Sequence, residues 1–291
     1  MQYFNGFKWY NIKIMIINLF DLEQRFTKKL PKAIEGYYSS GARDEVSLKR
    51  NRSVFNDYEL LPKILRDVSK IHLNTSVLGI DIDAPIMLAP VAMQQMAHEE
   101  GEAGTALAAK KFNTIMTHST ISNKSINEIG PLHEKLFFQL YFSKDRDFTA
   151  EMLKNCKSLG YKAIVFTVDA PRLGTRERDE RNSFKMPEHL KLGNFVGTKF
   201  EHFDEIEEYE GSSMNAHSDH LFDPSLTFDI IPWIKEQSGL PILVKGVLRP
   251  DDATKALSSG ADGIVITRLN ILIGASPDSF VSNYRVEAKL S

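Results

Sequence analysis

Polar side chains stand where several hydrophobic runs of this sequence end. Ser119 closes one run, Thr167 and Asp169 close another, and Lys245 lies near the end of a third. If the runs are parallel strands of a barrel, their carboxyl ends share one edge, and residues there point into the active site. The side chains and backbone positions expected around that mouth are Pro90, Val91, Ala92, Ser119, Gln139, Tyr141, Thr167, Asp169 and Lys245.

This set of groups favours the binding of a flat ligand that is rich in amide groups, such as a flavin ring. Ser119, Gln139 and Thr167 can bond ring nitrogens and carbonyls, and Lys245 can stabilise an anionic reduced ring. No His, Asp or Glu cluster has the spacing of metal ligands. No Ser or Cys is expected beside a His on neighbouring strand ends, which argues against a nucleophile–base pair.

Several of these residues also have ordinary structural interpretations. Lys245 can be the Schiff-base lysine of an aldolase-like barrel, or a salt-bridged residue at a strand end. Asp169 can cap a following helix, and Tyr141 can be a core aromatic residue with a satisfied hydroxyl. His118, the histidine nearest to a strand end, is expected to pack or to bond locally.

The elements that must position these residues alternate along the chain. Continuously hydrophobic, strand-like runs are separated by amphipathic helical patterns, several of which end at a glycine. Such alternation predicts parallel βαβ units, and therefore an α/β fold of the TIM-barrel or doubly wound type. The predicted strands cover residues 84–90, 113–119, 136–142, 162–169, 241–247 and 262–267.

Two segments stand outside this repeat. Residues 20–83 are predicted to form a mostly helical N-terminal segment, called the preface below. Residues 174–225 are predicted to form a long polar insertion after the fourth predicted strand. An insertion at the carboxyl end of a barrel strand is commonly a lid over the active site, although a disordered surface loop is the simpler alternative. The predicted organisation is an N-terminal extension over 1–19 and a single barrel domain over 20–291.

The composition excludes several other classes of protein. With 36 basic and 38 acidic side chains, the net charge of −2 gives no basic surface that would indicate nucleic acid or an anionic membrane. The apolar run IKIMIINLF is too short to span a bilayer. The single cysteine, Cys156, rules out a disulfide framework and indicates a reducing setting.

Several stretches together resemble the FMN-dependent 2-hydroxy acid oxidases, the glycolate oxidase group. The most specific are FFQLY at 137–141, TVDAPRLGTRE at 167–177 and LPILVKGV at 240–247, supported by EGYYSSGARDE at 35–45 and APIMLAPVAM at 84–93. The similarity runs from about residue 20 to residue 266. It implies a TIM-type barrel, and it implies FMN as the cofactor.

The resemblance also implies roles for individual residues. Tyr37 would hold the substrate carboxylate, Tyr141 would contact the substrate, and Arg176 would help bind the carboxylate and the lid. Asp169 would orient and support a catalytic histidine. The residues implied to hold FMN are Pro90, Val91 and Ala92 through their backbone, Ser119, Gln139 and Thr167 at the ring, and Lys245 at the ring edge.

The family pattern departs from this sequence after the sixth predicted strand. The family continues there with SNHG-x-RQLD, whose His removes a proton from the substrate and whose Arg binds the carboxylate, whereas this chain reads TRLN at 267–270. In the family pattern two further βα units follow, and their loops hold the FMN phosphate. These units are not recognised in this sequence. The sequence therefore predicts a barrel truncated after about six strands. Near Ile121 the family pattern often has Trp, so the substrate preference stays open.

By resemblance, the predicted function is oxidation of a small (S)-2-hydroxy acid to the 2-oxo acid, with molecular oxygen as acceptor and hydrogen peroxide as product. The alternative is a truncated, catalytically impaired isoform or fragment that acts through full-length subunits. The family implies a homo-oligomer and a peroxisomal location. The C-terminal AKLS does not preserve an S-K-L-like tripeptide, so a cytoplasmic location is the other interpretation.

Overall fold

The computed structural model describes residues 16–170, 174–201 and 221–267 of the chain. Its centre is a five-stranded, wholly parallel sheet whose strands lie side by side in chain order. The strands are β3 (Met116–Ser119), β4 (Leu136–Leu140), β5 (Ala163–Thr167), β6 (Ile242–Lys245) and β7 (Gly263–Val265).

Helices connect the strands, as the sequence pattern predicts. Each connecting helix precedes the next parallel strand, so the units are βα repeats, and consecutive strands that neighbour one another form the wall of a barrel. The helices of the repeats are α4 (Gly101–Lys111), α5 (Ile126–Ile129), α6 (Arg146–Ser158), α8 (Ile230–Ser238) and α9 (Pro250–Ser258). At the end of α8, Gly239 adopts the left-handed conformation (φ 57°) and donates its N–H to the Lys235 carbonyl.

The first predicted strand, 84–90, is reduced to a single bridge. Leu88 pairs with Met116 in parallel, donating to the Ile115 carbonyl at 2.9 Å and accepting from Thr117 at 2.9 Å. Pro85 and Pro90 lack the N–H that a longer ladder needs, which accounts for the shortness of this pairing. The segment still occupies the position next to β3 that the prediction gives it.

The N-terminal preface is helical only in its first part. Residues 58–74 form neither helix nor strand. They are followed by an antiparallel hairpin that the sequence reading missed, in which Leu78 and Gly79 both have positive φ, as a type I′ turn requires. The elements of the preface are α1 (Leu19–Thr27), α2 (Lys32–Ser39), α3 (Val46–Ser53), a 3₁₀ turn (Val54–Asp57), β1 (Thr75–Val77) and β2 (Ile80–Ile82).

Side chains alternate between the two faces of the sheet along each strand, and each face contributes to a different core. In β4, Leu136, Phe138 and Leu140 pack with the helices, whereas Phe137 faces the other side of the sheet. Val165 and Leu243 lie on the same inner side as Phe137. Because side chains alternate with a period of two, Gln139, Thr167 and Lys245 also belong to this inner side.

A third core lies at the carboxyl ends of the strands and includes the insertion. Phe184, Leu192 and Phe195 are buried there, against Ile34 of α2 and Met93 after the Leu88 bridge. The described part of the insertion, which contains α7 (Glu177–Arg181), is therefore packed, and the disordered-loop alternative is wrong for residues 174–201. Most of the acidic run EHFDEIEEYEGSS lies outside the described residues.

Candidate active site

A row of buried hydrogen-bonding side chains crosses the inner face where three neighbouring strands end. Ser119 Oγ donates to Gln139 Oε1 at 2.9 Å, and Gln139 Nε2 donates to Thr167 Oγ1 at 3.0 Å. The row follows the strand register, since Ser119 is paired with Gln139 across β3 and β4. The residues are 3%, 2% and 6% exposed, respectively, so the row is held away from solvent.

The row leaves hydrogen-bond donors for a ligand. Gln139 Oε1 also accepts from the Thr120 amide at 3.4 Å, so the carbonyl end of this side chain is occupied. The second amide hydrogen of Gln139 and the hydroxyl hydrogen of Thr167 are not needed for the contacts within the row. They can bond to carbonyl oxygens or ring nitrogens, which an isoalloxazine ring offers.

Lys245 continues the row at the end of β6, in register with Thr167. The side chain is buried, and this burial lowers the pKa of its ammonium group, while the nearby Asp169 carboxylate opposes the shift. Gly246 follows with a φ of +105°. A Cβ at Gly246 would lie 2.5 Å from Asp169 Cγ, so only glycine lets the chain pass this close to the carboxylate.

Pro90, Val91 and Ala92 lie in the loop between the Leu88 bridge and the 3₁₀ turn Gln94–Met96. Pro90 and Ala92 are partly buried, and Val91 is exposed. The loop is tied to the end of β3 because Met93 donates to the Ile121 carbonyl at 3.0 Å. It is also tied to α2, because the Tyr38 hydroxyl donates to the Met93 carbonyl at 2.6 Å.

Tyr37 lies between an aromatic ring and a guanidinium group. Its ring stacks on Phe184 with centroids 4.6 Å apart, and the Arg176 guanidinium lies 4.8 Å from the Tyr37 ring centroid. Burial raises the pKa of Tyr37 to about 12, Arg176 acts to lower it, and Asp179 acts to raise it. The hydroxyl therefore stays protonated at neutral pH and can act as a donor.

Tyr141 follows β4 and is partly buried against Phe222, with ring centroids 4.8 Å apart. Burial raises the pKa of Tyr141, and interactions with Tyr37 and Asp169 add to this. Tyr37 and Tyr141 both pack against the core at the strand ends, and the carboxylate of Asp169 is close enough to act on Tyr141. The structure thus brings together candidates from the preface, from β4 and from the end of β5.

Arg176 joins the preface to the start of the insertion. Its Nη2 donates to the Tyr37 carbonyl and to Ser40 Oγ, the latter at 3.1 Å. Its Nη1 pairs with Asp179 Oδ2 at 3.3 Å. The guanidinium is therefore engaged by the protein itself, and its predicted contact with the substrate carboxylate stays a prediction.

His118 is not a member of this site. Its Nδ1 lies 2.8 Å from the Tyr161 hydroxyl, and its Nε2 lies 3.0 Å from the Lys124 carbonyl. Burial lowers the pKa of this imidazole to about 4. The side chain is a neutral, fully bonded group in the core, in agreement with the sequence interpretation.

Sequence reasoning missed several buried polar residues that hold the site together. Glu102 lies on the same face of α4 as Ala106 and Ala109, so an acid on an apolar helical face was the available signal. Asp179 stands three residues after Arg176, a spacing that favours an ion pair on a helix. Asn194 had no such signal, because its partners lie about 70 residues away in the chain.

The fold and the polar row together define a class of protein. It has a wall of parallel α/β barrel strands, whose ends carry a lysine and hydrogen-bond donors suited to a flavin. Comparison with known sequences agrees with this class. The family model described as FMN-dependent dehydrogenase matches residues 26–268. The chain belongs to this family of FMN-dependent oxidoreductases.

Individual relatives share much of the chain. Glycolate oxidase 3 of Oryza sativa subsp. indica is 43% identical over 254 residues, which cover 87% of this chain and 68% of the relative. L-lactate oxidase of Nostoc sp. is 42% identical over 259 residues, which cover 86% and 70%. A crystal structure of mandelate oxidase with (S)-4-hydroxymandelic acid superposes with a TM-score of 0.82 at 32% identity, covering 88% of this chain and 71% of that one.

Within residues 16–170, 174–201 and 221–267, no three His, Cys, Asp or Glu side chains are grouped so that they could hold a metal ion. In the same part of the chain, no helix has the length and apolar character needed to cross a bilayer.

Proposed function

We propose that this site oxidises a small (S)-2-hydroxy acid to the corresponding 2-oxo acid, with FMN as the first electron acceptor and molecular oxygen as the second. The substrate loses two electrons and two protons, and oxygen takes them up as hydrogen peroxide. The observation that carries the proposal is the buried row Ser119–Gln139–Thr167, continued by Lys245. The names of the relatives, which include glycolate and lactate oxidases, support the substrate class.

Residues of this chain would hold the ring of FMN. The donors of Gln139 and Thr167 fit the polar edge of the ring, and the loop over Pro90–Ala92 offers backbone for its face. Lys245 adds a positive charge in a site that excludes water, where a charge acts more strongly than in solution. When bound, FMN would supply a two-electron acceptor for the oxidation of the substrate.

Tyrosine hydroxyls would bind the substrate. The pKa of Tyr37 is about 12 and that of Tyr141 is raised, so both are donors that can bond to a carboxylate throughout the physiological pH range. Arg176 holds the Tyr37 backbone and stacks on its ring. This contact orders the donor before substrate arrives, which lowers the entropic cost of binding.

The expected turnover rate depends on which residue accepts the proton of the substrate. The resemblance assigns this role to a histidine that follows the sixth predicted strand, where this chain has Thr267 and Arg268. His118 cannot replace it, since both of its ring nitrogens are bonded in the core. A general base contributes about 10²–10⁴-fold in rate, so we expect turnover to be slower by that order than in a relative that has the histidine.

Product analysis tests the proposal. The purified chain is loaded with FMN and given L-lactate, D-lactate, glycolate or ethylene glycol in aerated buffer, and the 2-oxo acid and peroxide are quantified. We expect equal amounts of both products from L-lactate or glycolate, and none from D-lactate or from the diol, which lacks a carboxylate. Peroxide without a 2-oxo acid, or equal rates with both lactate enantiomers, would contradict the proposed reaction.

The location and assembly follow from the same resemblance. We infer a peroxisomal site of action, because hydrogen peroxide is a product that cells confine, and a homo-oligomeric state. Imaging of the tagged chain beside a peroxisomal marker tests the first inference, with diffuse cytoplasmic signal as the opposing result. Sedimentation equilibrium tests the second, with a single 33.0 kDa species as the opposing result.

A further inference from the structure

Glu102 is a carboxylate with no exposed surface, and it lies between two loops of the candidate active site. Its Oε1 accepts from the backbone amides of Gln94 at 3.0 Å and of Asn123 at 3.1 Å, and its Oε2 accepts from the Lys124 amide at 3.3 Å. Gln94 belongs to the loop that follows Pro90–Ala92. Asn123 and Lys124 belong to the loop that follows β3. A single carboxylate therefore joins the two loops.

Three consecutive amides of the first loop donate either to Glu102 or to the loop that follows β3. Met93 donates to the Ile121 carbonyl at 3.0 Å, Gln94 donates to Glu102, and Gln95 donates to Asn123 Oδ1 at 3.0 Å. Met93 has a φ of 51°, a conformation that a residue other than glycine keeps only when its surroundings hold it. The loop that begins at Pro90 is thus fixed against the end of β3, where Ser119 starts the polar row.

Tyr38 holds the same loop through the carbonyl groups of its backbone. Its hydroxyl donates to the Met93 carbonyl at 2.6 Å and lies 3.5 Å from the Ala92 carbonyl. Burial raises the pKa of Tyr38, and Tyr37 and Glu102 add to this shift, so the hydroxyl stays protonated and donates. The Ala92–Met93 backbone is consequently bound on its donor side through Met93–Gln95 and on its acceptor side by Tyr38.

We propose that Glu102 and Tyr38 are positioning residues that fix the Pro90–Ala92 backbone relative to the Ser119–Gln139–Thr167 row, so that the two surfaces accept an FMN ring between them. This inference rests on the proposed function. A glutamine at position 102 offers one acceptor oxygen and an NH₂ group, and the NH₂ would face backbone donors. The substitution therefore leaves at least one buried amide without an acceptor.

The test compares Glu102→Gln with Glu99→Gln, a matched control in which the same change is made on an exposed side chain of the same region. Hydrogen exchange is measured without FMN, and the FMN Kd is measured by quenching of flavin fluorescence. For Glu102→Gln we expect faster exchange at residues 93–95 and 123–124, unchanged exchange in β4 and β5, a Kd raised at least tenfold and a shifted visible band of the bound flavin. The Glu99→Gln variant should match the wild-type chain in every readout.

Tyr38→Phe is the second variant, since it removes one hydroxyl and keeps the ring. We expect it to raise the FMN Kd by about 3- to 10-fold and to speed exchange at Met93, and this variant decides the matter if Glu102→Gln does not fold. A wild-type Kd and an unshifted visible band in either folded variant would overturn the positioning role. Absence of FMN binding by the wild-type chain would instead overturn the proposed function, and this inference with it.

Discussion

At the scale of single residues, the backbone of Gly246 passes so close to Asp169 that there is no room for a side chain. Gly246→Ala places a Cβ 2.5 Å from Asp169 Cγ at a φ of +105°. Gly260→Ala is the matched control, because Gly260 has a φ of +103° and nothing within 4 Å of an added Cβ. We expect both variants to lose about 1–3 kcal/mol of unfolding free energy to backbone strain, and Gly246→Ala to lose more because of the clash.

Urea denaturation of both variants provides the measurement. The difference between their unfolding free energies isolates the cost of moving Asp169, since the backbone strain is similar in the two. Equal losses in the two variants would show that the Asp169 carboxylate moves away freely, and that its position beside Lys245 is not fixed by the fold.

We expect His118 to make the unfolding free energy depend on pH. Its folded-state pKa of about 4 lies below the ordinary value of 6.5, so the unfolded chain binds the proton more readily between these two values. The contribution of His118 is present above pH 6.5 and is lost as the pH falls toward 4, and it amounts to roughly 3 kcal/mol. We expect His118→Gln to flatten the dependence of unfolding free energy on pH in this window. His133, whose pKa is also lowered by burial, keeps its own smaller slope in both proteins. Identical slopes for the variant and the wild type would contradict the account.

At the scale of elements, the insertion is held to the strand ends by Asn194. Its Oδ1 accepts from the Ile126 amide at 2.8 Å, and its Nδ2 lies within 3.3 Å of the Ser119 and Thr120 carbonyls and of Ser122 Oγ. Asn194→Ala leaves these buried groups without their partner, and we expect a loss of about 2–4 kcal/mol in unfolding free energy. Faster hydrogen exchange at residues 119–126 should accompany the loss.

Asn155→Ala is the control for this prediction, because Asn155 is exposed on α6 and its change should stay within about 0.5 kcal/mol. If Asn194→Ala lost as little unfolding free energy as this control, the Asn194 side chain would not be needed to hold the insertion at the strand ends. Gly193, next in sequence, supports the close packing, since an added Cβ would lie 2.4 Å from the Ser125 backbone nitrogen.

The sequence predicted the elements that repeat, because their periodicity is local. The strand-helix alternation placed β3 to β7, and the strand-end rule placed Ser119, Gln139, Thr167 and Lys245 on one face. The prediction made the first strand too long, because Pro85 and Pro90 lack the N–H donors that a longer strand needs. It also missed the hairpin of β1 and β2. Glu102 and Asn194 could not be assigned, because their roles depend on partners that only the folded chain brings near.

At the scale of the whole molecule, residues 58–74 present an apolar surface. Leu60 is 95% exposed and Leu65 is 99% exposed, so neither leucine contributes burial to the fold. We expect the double variant Leu60→Asp/Leu65→Asp to keep its unfolding free energy within about 1 kcal/mol, taking about 0.5 kcal/mol for each surface change. It should also scatter less light and bind less of an apolar dye than the wild-type chain.

Leu140→Ala gives the contrast, because Leu140 has no exposed surface and its truncation should cost about 2–5 kcal/mol. A comparable loss in the Leu60/Leu65 variant would mean that these side chains are buried in solution, for example by self-association. Sedimentation of the wild-type chain at several concentrations would then distinguish burial between copies from burial within one chain.

A visible absorption spectrum shows whether the strand-end row holds a flavin and whether a 2-hydroxy acid reduces it. The chain is purified with FMN, oxygen is removed, and L-lactate or glycolate is added while the visible absorption is recorded. We expect a bound flavin whose visible band bleaches on addition of the acid and returns on admission of oxygen, whereas Gln139→Leu should retain little flavin. A chain that binds no flavin, or a bound flavin that stays oxidised with every 2-hydroxy acid, would contradict the proposed function.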